Sequence, residues 1–276
     1  MKMIDAHQHF WHYRSADFPW ITDKLQVLKR DFLPEELGRI LERNGVSGCV
    51  AVQAAQHDKE THFLLDLADA NPFIRGVVGW IDLEAFNLSE KLHAYLPFSK
   101  LKGFRHILQD EEDPSYILRP GFQKGLDVIF ERGYTYDLLV FPHQLDGALQ
   151  TVRNFPEAPM VIDHLAKPGI AKGEIHSWKE KMQSFGEFPH VYGKLSGMVT
   201  EHTWDSWKPA DFLPYLETMM EVFGEDRLMF GSDWPVCLLA GTYEEVKGVV
   251  ELFLEGFSPE VRRKVWADNA VRFYSL

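Results

Sequence analysis

Two histidines spaced two residues apart, His7 and His9, end a short apolar run at the start of the sequence. Side chains along a β-strand alternate between its two faces, so this spacing predicts that Asp5, His7 and His9 point to the same face. Two neighbouring imidazoles at the end of a strand can hold one metal ion or bind one polar substrate. The pair is also compatible with two surface histidines that have no function.

Further polar residues follow apolar runs later in the chain. They are Gln53, Arg105, His143, Asp163, His164, Lys167, Ser196 and Asp233. Asp163 and His164 are adjacent, so in a strand only one of them points inward; we expect His164 in the site and Asp163 behind it. Each residue taken singly also fits a turn or a structural ion pair. Their recurrence at the end of nearly every apolar run favours a common site.

The apolar runs that carry these residues alternate with amphipathic helix patterns from one end of the chain to the other. The predicted strands end near His9, Gln53, Ile81, Ile107, Val140, Leu165, Ser196 and Asp233. Eight such units without a linker predict one domain over residues 1–276, an α/β fold of the distorted (β/α)8 TIM-barrel type. An open doubly wound sheet is the alternative. The long gap between His9 and Val46 predicts an extended first βα loop, which could form a lid.

Three helix starts can be read from capping patterns. Ser177 with Glu180 and Thr242 with Glu245 both have the spacing of a capping box. Ser258 before Pro259 predicts a capped helix with proline in its first turn.

Composition narrows the class of protein. The net charge is -12, so there is no basic field for nucleic acid. Only two cysteines are present, which is not a disulfide framework and indicates a reducing cytoplasm. No signal peptide and no run long enough to span a membrane is recognisable. We expect a small-molecule substrate, and a homo-oligomer is possible.

Several longer motifs make the prediction more specific, because they resemble the sugar-lactone hydrolase branch of the amidohydrolase superfamily (amidohydrolase 2 type). This branch includes L-fuconolactonase- and L-rhamnonolactonase-like proteins. The resemblance covers essentially the whole chain and rests on residues 5–11, 103–106, 163–168, 194–197 and 231–235. It implies a hydrolase that opens a sugar-derived lactone, such as a fucono- or rhamnonolactone, to the free acid.

The resemblance also bears on metal content. Superfamily members with two metal ions bridge them by a carboxylated lysine or a glutamate at the end of the fourth strand. Here that place holds Arg105, and a guanidinium cannot coordinate a cation. We therefore expect no binuclear centre. Two alternatives stay open: no required cofactor, or one divalent ion, most readily zinc, held by His7, His9 and Asp233.

Ester hydrolysis assigns a role to each candidate residue. We expect Asp233 to be the general base, with Arg105, His7, His9 and His164 polarising the carbonyl group. The candidate substrate contacts are Gln53, His143, Lys167, Trp11 and Trp234. Two other functions fit the same residues: a zinc-dependent nonoxidative decarboxylase of the same superfamily, and a non-catalytic barrel that binds a sugar acid.

Overall fold

Eight short parallel strands form the centre of the structure, a computed structural model that describes residues 2–276. Their bounds are β1 Met3–Gln8, β2 Val46–Val52, β3 Ile74–Gly79, β4 Leu101–Ile107, β5 Thr135–Leu139, β6 Met160–Ile162, β7 Val191–Leu195 and β8 Leu228–Phe230. Neighbours pair in the order of the chain, from β1 to β8.

Helices follow the strands and cover the outside of the sheet. They are α1 Pro34–Arg43, α2 Asp58–Ala70, α3 Leu88–Ala94, α4 Pro120–Glu131, α5 Leu145–Asn154, α6 His176–Gln183, α7 Leu213–Phe223, α8 Tyr243–Leu254, α9 Pro259–Arg263 and α10 Asn269–Tyr274. A single π-helical turn, Lys264–Asp268, joins α9 to α10. Within residues 2–276, no helix is long and apolar enough to cross a membrane.

The chain after β8 closes the barrel against β1. The amide of Asp233 donates to the carbonyl of His7 at 2.8 Å, and the amide of His9 donates to the carbonyl of Trp234 at 2.7 Å. Sequential strand order and this closure confirm the predicted TIM barrel, and they exclude the doubly wound sheet, whose strand order is not sequential.

Two strands end earlier in the structure than the sequence predicts. β6 ends at Ile162 and β8 at Phe230, three residues before the predicted ends. In both places the backbone turns into the left-handed region, with φ of 50–55° over residues 164–167 and 58° at Asp233. Non-glycine residues rarely take this conformation, so apolar patterning does not reveal it.

The first βα loop is extended, as predicted, and folds back over the mouth of the barrel. Trp11 and Phe32 exchange backbone hydrogen bonds of 3.0 Å, which pins the base of the loop. Trp11 is buried against Phe18 and Phe32. The loop then carries Trp20 above the strand ends, where its indole nitrogen donates to the carbonyl of Ala54 at 2.9 Å.

The opposite end of the barrel is filled from the C-terminus. Phe273 and Tyr274 of α10 pack in one apolar cluster with Ile4, Val50 and other strand residues that point into the barrel. This plug leaves the C-terminal strand ends as the open face, which is the face that carries active sites in this fold.

The helix starts give two confirmed predictions and one wrong one. Thr242 forms its capping box with Glu245, and Ser258 caps α9, which begins at Pro259. Ser177 does not cap a helix, because α6 already begins at His176. The residue before it, Ile175, takes a helical conformation, so the helix starts earlier than its polar pattern indicates.

Candidate active site

An irregularity in β1 separates Asp5 from the two histidines. The pairing with β2 shifts between Asp5 and Gln8, which is the signature of a β-bulge. Asp5 consequently does not share a face with His7: its carboxylate accepts hydrogen bonds from the hydroxyl groups of Ser232 and Tyr243. The prediction of one common face for Asp5, His7 and His9 is therefore wrong, because a bulge breaks the two-residue period.

Asp5 instead supports the segment that carries Asp233. It accepts hydrogen bonds from the backbone amides of His7 and Ser232, at 3.1 and 2.9 Å, so it ties the first strand to the last turn of the site. Burial raises the pKa of Asp5 to about 6, against these hydrogen bonds.

Both Asp163 and His164 reach the interior of the barrel, although strand alternation predicts only one. The left-handed backbone at His164 ends the two-residue period directly after β6. Asp163 then lies 3.0 Å from Arg105, and His164 lies 3.7 Å from Asp233. The expected position of His164 in the site holds, while Asp163 lies beside it and not behind it.

Three imidazoles surround one carboxylate oxygen at the centre of the open face. Oδ1 of Asp233 lies 3.2 Å from Nε2 of His9, 3.7 Å from Nε2 of His164 and 3.9 Å from Nε2 of His7. All four side chains are almost completely buried. The structure therefore brings together residues from the first strand and from the segments after β6 and β8, as the sequence predicts.

Hydrogen bonds hold the Nδ1 atoms of two of these rings, His9 and His164. Nδ1 of His9 lies 2.8 Å from the carbonyl of Val52, which can only accept, so this nitrogen carries a proton. Nε2 of His9 faces Oδ1 of Asp233 at 3.2 Å, where it donates a hydrogen bond if it carries a proton and offers a lone pair if it does not. Nδ1 of His164 lies 2.8 Å from the hydroxyl of Ser196, which can hold that ring in the same way.

Burial and neighbouring charges shift the pKa values of His7, His164 and Asp233. Burial lowers the pKa of His7 far below its usual value, and the charges of Lys194 and Arg105 add to the effect. Burial likewise lowers the pKa of His164, although Asp233 acts against it. For Asp233 burial favours the neutral form, but His164 and the hydrogen bond from His9 outweigh it and lower the pKa to about 2.

Below the three histidines lies a buried cluster of charges. Nζ of Lys194 lies 2.5 Å from Asp137, 3.0 Å from Asp163 and 3.0 Å from Nδ1 of His7. The hydroxyl of Tyr274 donates to Asp137 at 2.8 Å. Lys194 and Asp137 were missed from the sequence as site residues, and the available signal was a charged residue inside an otherwise apolar strand.

Arg105 links this cluster to the cavity. Its Nη1 donates to Asp163 at 3.0 Å and lies 3.1 Å from Nε2 of His7, and its Nη2 donates to the carbonyl and the side-chain oxygen of Gln53. Its Nε is buried and has no hydrogen-bond partner among residues 2–276. Gln53 thus contacts Arg105 and lies behind it, outside the lining of the cavity.

A cavity of about 300 Å³ opens above Asp233. This volume is at the small end of the range for ligand pockets. Its polar lining consists of His9, Arg105, Gln109, Asp110, His164, Lys167, Thr200, Glu201 and Asp233, and its apolar lining includes Trp20, Leu25, Ile107, Leu139, Trp204, Val236 and Leu239. Glu201 and Gln109 were not predicted.

Three predicted contact residues lie elsewhere. His143 is exposed and stacks on Phe141, while Trp11 and Trp234 are completely buried and pack among aromatic side chains of the first loop. None of the three is among the residues that line the cavity. The tryptophans support the wall and do not form its surface.

Two groups of side chains have ligand atoms close enough to share a cation. The first is His7, His164 and Asp233, and the second is His7, Asp137 and Asp163; within each group all ligand atoms lie within 4.8 Å of one another. The ammonium of Lys194 already lies between the members of the second group. In the first group, His164 and Asp233 line the cavity, so this group is the better metal site.

Comparison with known proteins agrees with this geometry. The amidohydrolase family model matches residues 4–276. The chain is 40% identical to an L-fucono-1,5-lactonase of Burkholderia multivorans over 99% of this chain and 96% of that protein. It is 27% identical to an L-rhamnono-gamma-lactonase of Scheffersomyces stipitis over 74% and 68%. A crystal structure of a Burkholderia multivorans amidohydrolase with bound zinc is 39% identical, with a TM-score of 0.96 over all of both chains.

Proposed function

The chain belongs to the amidohydrolase family, and from this premise we propose that it hydrolyses a sugar-derived lactone to the free acid. The observation that carries the proposal is the ionised carboxylate of Asp233, which lies among three imidazoles at the base of a cavity sized for a small molecule. The two lactonases among its relatives support the same substrate class.

Asp233 is the proton acceptor in this proposal. A lactone is a cyclic ester, so its hydrolysis needs a base for the attacking water, positive charge near the carbonyl oxygen and a proton for the departing alkoxide. Asp233 is ionised at neutral pH because its pKa is about 2. It takes the proton of the water and returns it to the ring oxygen as the ring opens.

Arg105 supplies positive charge at the carbonyl oxygen. Its Nη atoms are held by Asp163 and Gln53, which fixes the guanidinium, and its unpartnered Nε remains for a substrate oxygen. His9 does not share this role in its neutral form, since its Nε2 carries a lone pair and cannot donate. The sequence-based assignment of all three imidazoles as hydrogen-bond donors is therefore revised here.

The spacing around Oδ1 of Asp233 favours the alternative with one divalent ion. In a tetrahedral zinc site with bonds of about 2.0–2.1 Å, ligand atoms lie roughly 3.3 Å apart, and the distances of 3.9 Å to His7 and 3.7 Å to His164 are close to that value. The ligand set predicted from the sequence, His7, His9 and Asp233, changes in one member. We propose His7, His164 and Asp233, because their ligand atoms lie within 4.8 Å of one another. A bound ion would act as a Lewis acid on the carbonyl group and would lower the pKa of a bound water.

The second group of potential ligands does not extend this site to two ions. The ammonium of Lys194 lies between Asp137 and Asp163, and a second cation there would be repelled. The proposal therefore keeps a single ion per chain.

Asp233→Asn tests the proposal directly. We expect kcat/KM for aldono-1,5-lactones, followed with a pH indicator, to fall by about 10²–10⁴-fold while the circular dichroism spectrum stays unchanged. Asp205→Asn, an exposed carboxylate on the loop after β7, is the matched control and should keep full activity. Metal analysis of the same samples should find up to one ion per wild-type chain. An Asp233→Asn enzyme with wild-type kcat/KM would contradict the proposal, as would a wild-type protein that opens no lactone.

The remaining sequence-based predictions concern the setting of the enzyme. Lys167 lines the cavity and is proposed as a substrate contact. Both cysteines, Cys49 and Cys237, are buried free thiols, which fits the proposed reducing cytoplasm. The homo-oligomer stays a prediction.

A further inference from the structure

An ion pair in the cavity wall is not used by the chemistry above. Nζ of Lys167, on the segment after β6, lies 2.8 Å from Oε1 of Glu201, on the segment after β7. Thr200 completes the group, since its hydroxyl donates to Glu201 at 3.2 Å and lies 3.4 Å from Lys167. The Lys167 and Glu201 side chains are only 14% and 20% exposed, and both line the cavity.

The wall built from β4 and the segment after it offers complementary donors. The side-chain nitrogen Nε2 of Gln109 and Nε of Arg105 are both buried without a hydrogen-bond partner among residues 2–276. Both residues line the cavity. Leaving a buried donor without an acceptor is unfavourable, so these atoms indicate a ligand that brings acceptor oxygens into the cavity.

A polyhydroxylated ligand satisfies both walls. A hydroxyl group donates and accepts, whereas a carboxylate only accepts and an ammonium only donates. Two neighbouring hydroxyl oxygens lie about one hydrogen-bond length apart, which is the spacing of the Lys167–Glu201 pair. One hydroxyl group can donate to Glu201 while the next accepts from Lys167. The ligand then replaces the hydrogen bonds that water makes with the two charged side chains.

We propose that Lys167 and Glu201 form a diol-binding subsite, which selects lactones with two neighbouring free hydroxyl groups over unsubstituted lactones. The inference rests on the proposed lactone hydrolysis and adds that the enzyme recognises a pair of neighbouring hydroxyl groups on the substrate. An unsubstituted ring would remove water from the ion pair without replacing its hydrogen bonds, and such a ligand binds poorly.

The competing role for the same ion pair is structural, because it ties two loops together. The two roles differ in what they do to a substrate without hydroxyl groups. A structural tie affects every lactone equally, whereas a diol-binding subsite affects only the hydroxylated one.

Glu201→Gln separates the roles when it is assayed with an aldono-1,5-lactone and with δ-valerolactone. We expect kcat/KM for the aldonolactone to fall by about 10- to 100-fold, mainly through KM, because a charge-assisted hydrogen bond is lost. The change with δ-valerolactone should be less than about threefold. Glu174→Gln is the matched control: its carboxylate pairs with Lys172 on the same face but is 59% exposed, and both substrates should react as in the wild type.

Equal losses of Glu201→Gln on both substrates, or no loss on either, would overturn the diol-binding subsite. If the wild type opened no lactone at all, the proposed function would fail, and calorimetry would still test the subsite. In that experiment the aldonolactam, a non-hydrolysable analogue, should bind wild type at least tenfold more tightly than Glu201→Gln, and equal affinities would refute the inference.

Discussion

Replacing Lys194 by methionine removes the ammonium that lies between Asp137 and Asp163. Both carboxylates are completely buried, and with Arg105 and Lys194 the cluster has no net charge. Methionine keeps most of the length of the side chain but leaves one negative charge unbalanced. Breaking a buried ion pair typically costs about 3–5 kcal/mol.

Proton uptake sets an upper limit on this loss. Asp137 can take up a proton in the folded variant, and burial already raises its pKa in the wild type against the effect of Lys194. An unfolded aspartate has a pKa near 3.9, so holding a proton at pH 7 costs about three units at 1.36 kcal/mol each, or roughly 4 kcal/mol. At pH 5 the same cost is only about 1.5 kcal/mol. The stability of the variant therefore falls as the pH rises above the unfolded pKa.

Urea unfolding at the two pH values measures this difference. We expect Lys194→Met to lose about 2–4 kcal/mol at pH 7 and less than about 1.5 kcal/mol at pH 5. Lys179→Met is the matched control, since Lys179 also lies 2.5 Å from its partner, Glu221, but on the surface, where such pairs contribute at most about 1 kcal/mol. A loss below about 1 kcal/mol at pH 7, or the same loss at both pH values, would refute the reasoning.

Two further predictions concern the histidines and Asp233. Gly197→Ala should lower kcat at least about tenfold, because a Cβ there would lie 2.4 Å from Nδ1 of His164; Gly173→Ala has a similar φ of 66° but open space, and should lose stability only. In the chelator-treated enzyme, Asp233 should add no acid limb to the pH profile of kcat/KM above about pH 4, because it has a pKa of about 2 and must be ionised to act as a base; an acid limb near pH 6 that persists in Asp5→Asn, which lacks the supporting carboxyl with a pKa of about 6, would remove Asp233 from that role.

The fold was predictable because the local sequence of each βα unit indicates its structure: a short apolar run predicts the strand, and apolar residues at helical spacing predict the helix that follows. The open face followed from the fold, since parallel strands place their C-terminal ends together. His7, His9 and Asp233 could thus be assigned to one site, although more than two hundred residues separate the first from the last.

The failures have a common physical cause in backbone irregularity. The bulge in β1 and the left-handed turn after β6 both break the two-residue period, so Asp5 was placed on the wrong face and Asp163 in the wrong layer. A sequence gives little warning of either feature. Such irregularities gather at active sites, where backbone strain is tolerated because it aims side chains at the substrate.

The contacts between polar side chains across the barrel could not be predicted from the sequence for a different reason. Lys194 meets Asp137 from a strand two positions away in the barrel, and Tyr274 reaches the same carboxylate from the C-terminal helix. Local patterning contains no information on which charged side chains share an interior layer. Likewise, the exposed position of His143 and the buried position of Trp234 depend on loop packing.

The closure of the barrel between β1 and the segment after β8 has a consequence for biosynthesis. The backbone of Asp233 and Trp234 supplies hydrogen bonds that join the segment after β8 to the first strand, and the carboxylate proposed as the general base belongs to the same residue, Asp233. A nascent polypeptide that still lacks β8 and Asp233 has neither a closed barrel nor the proposed proton acceptor. Turnover during translation would therefore report when the last strand docks, and truncated products would be inert towards the metabolite.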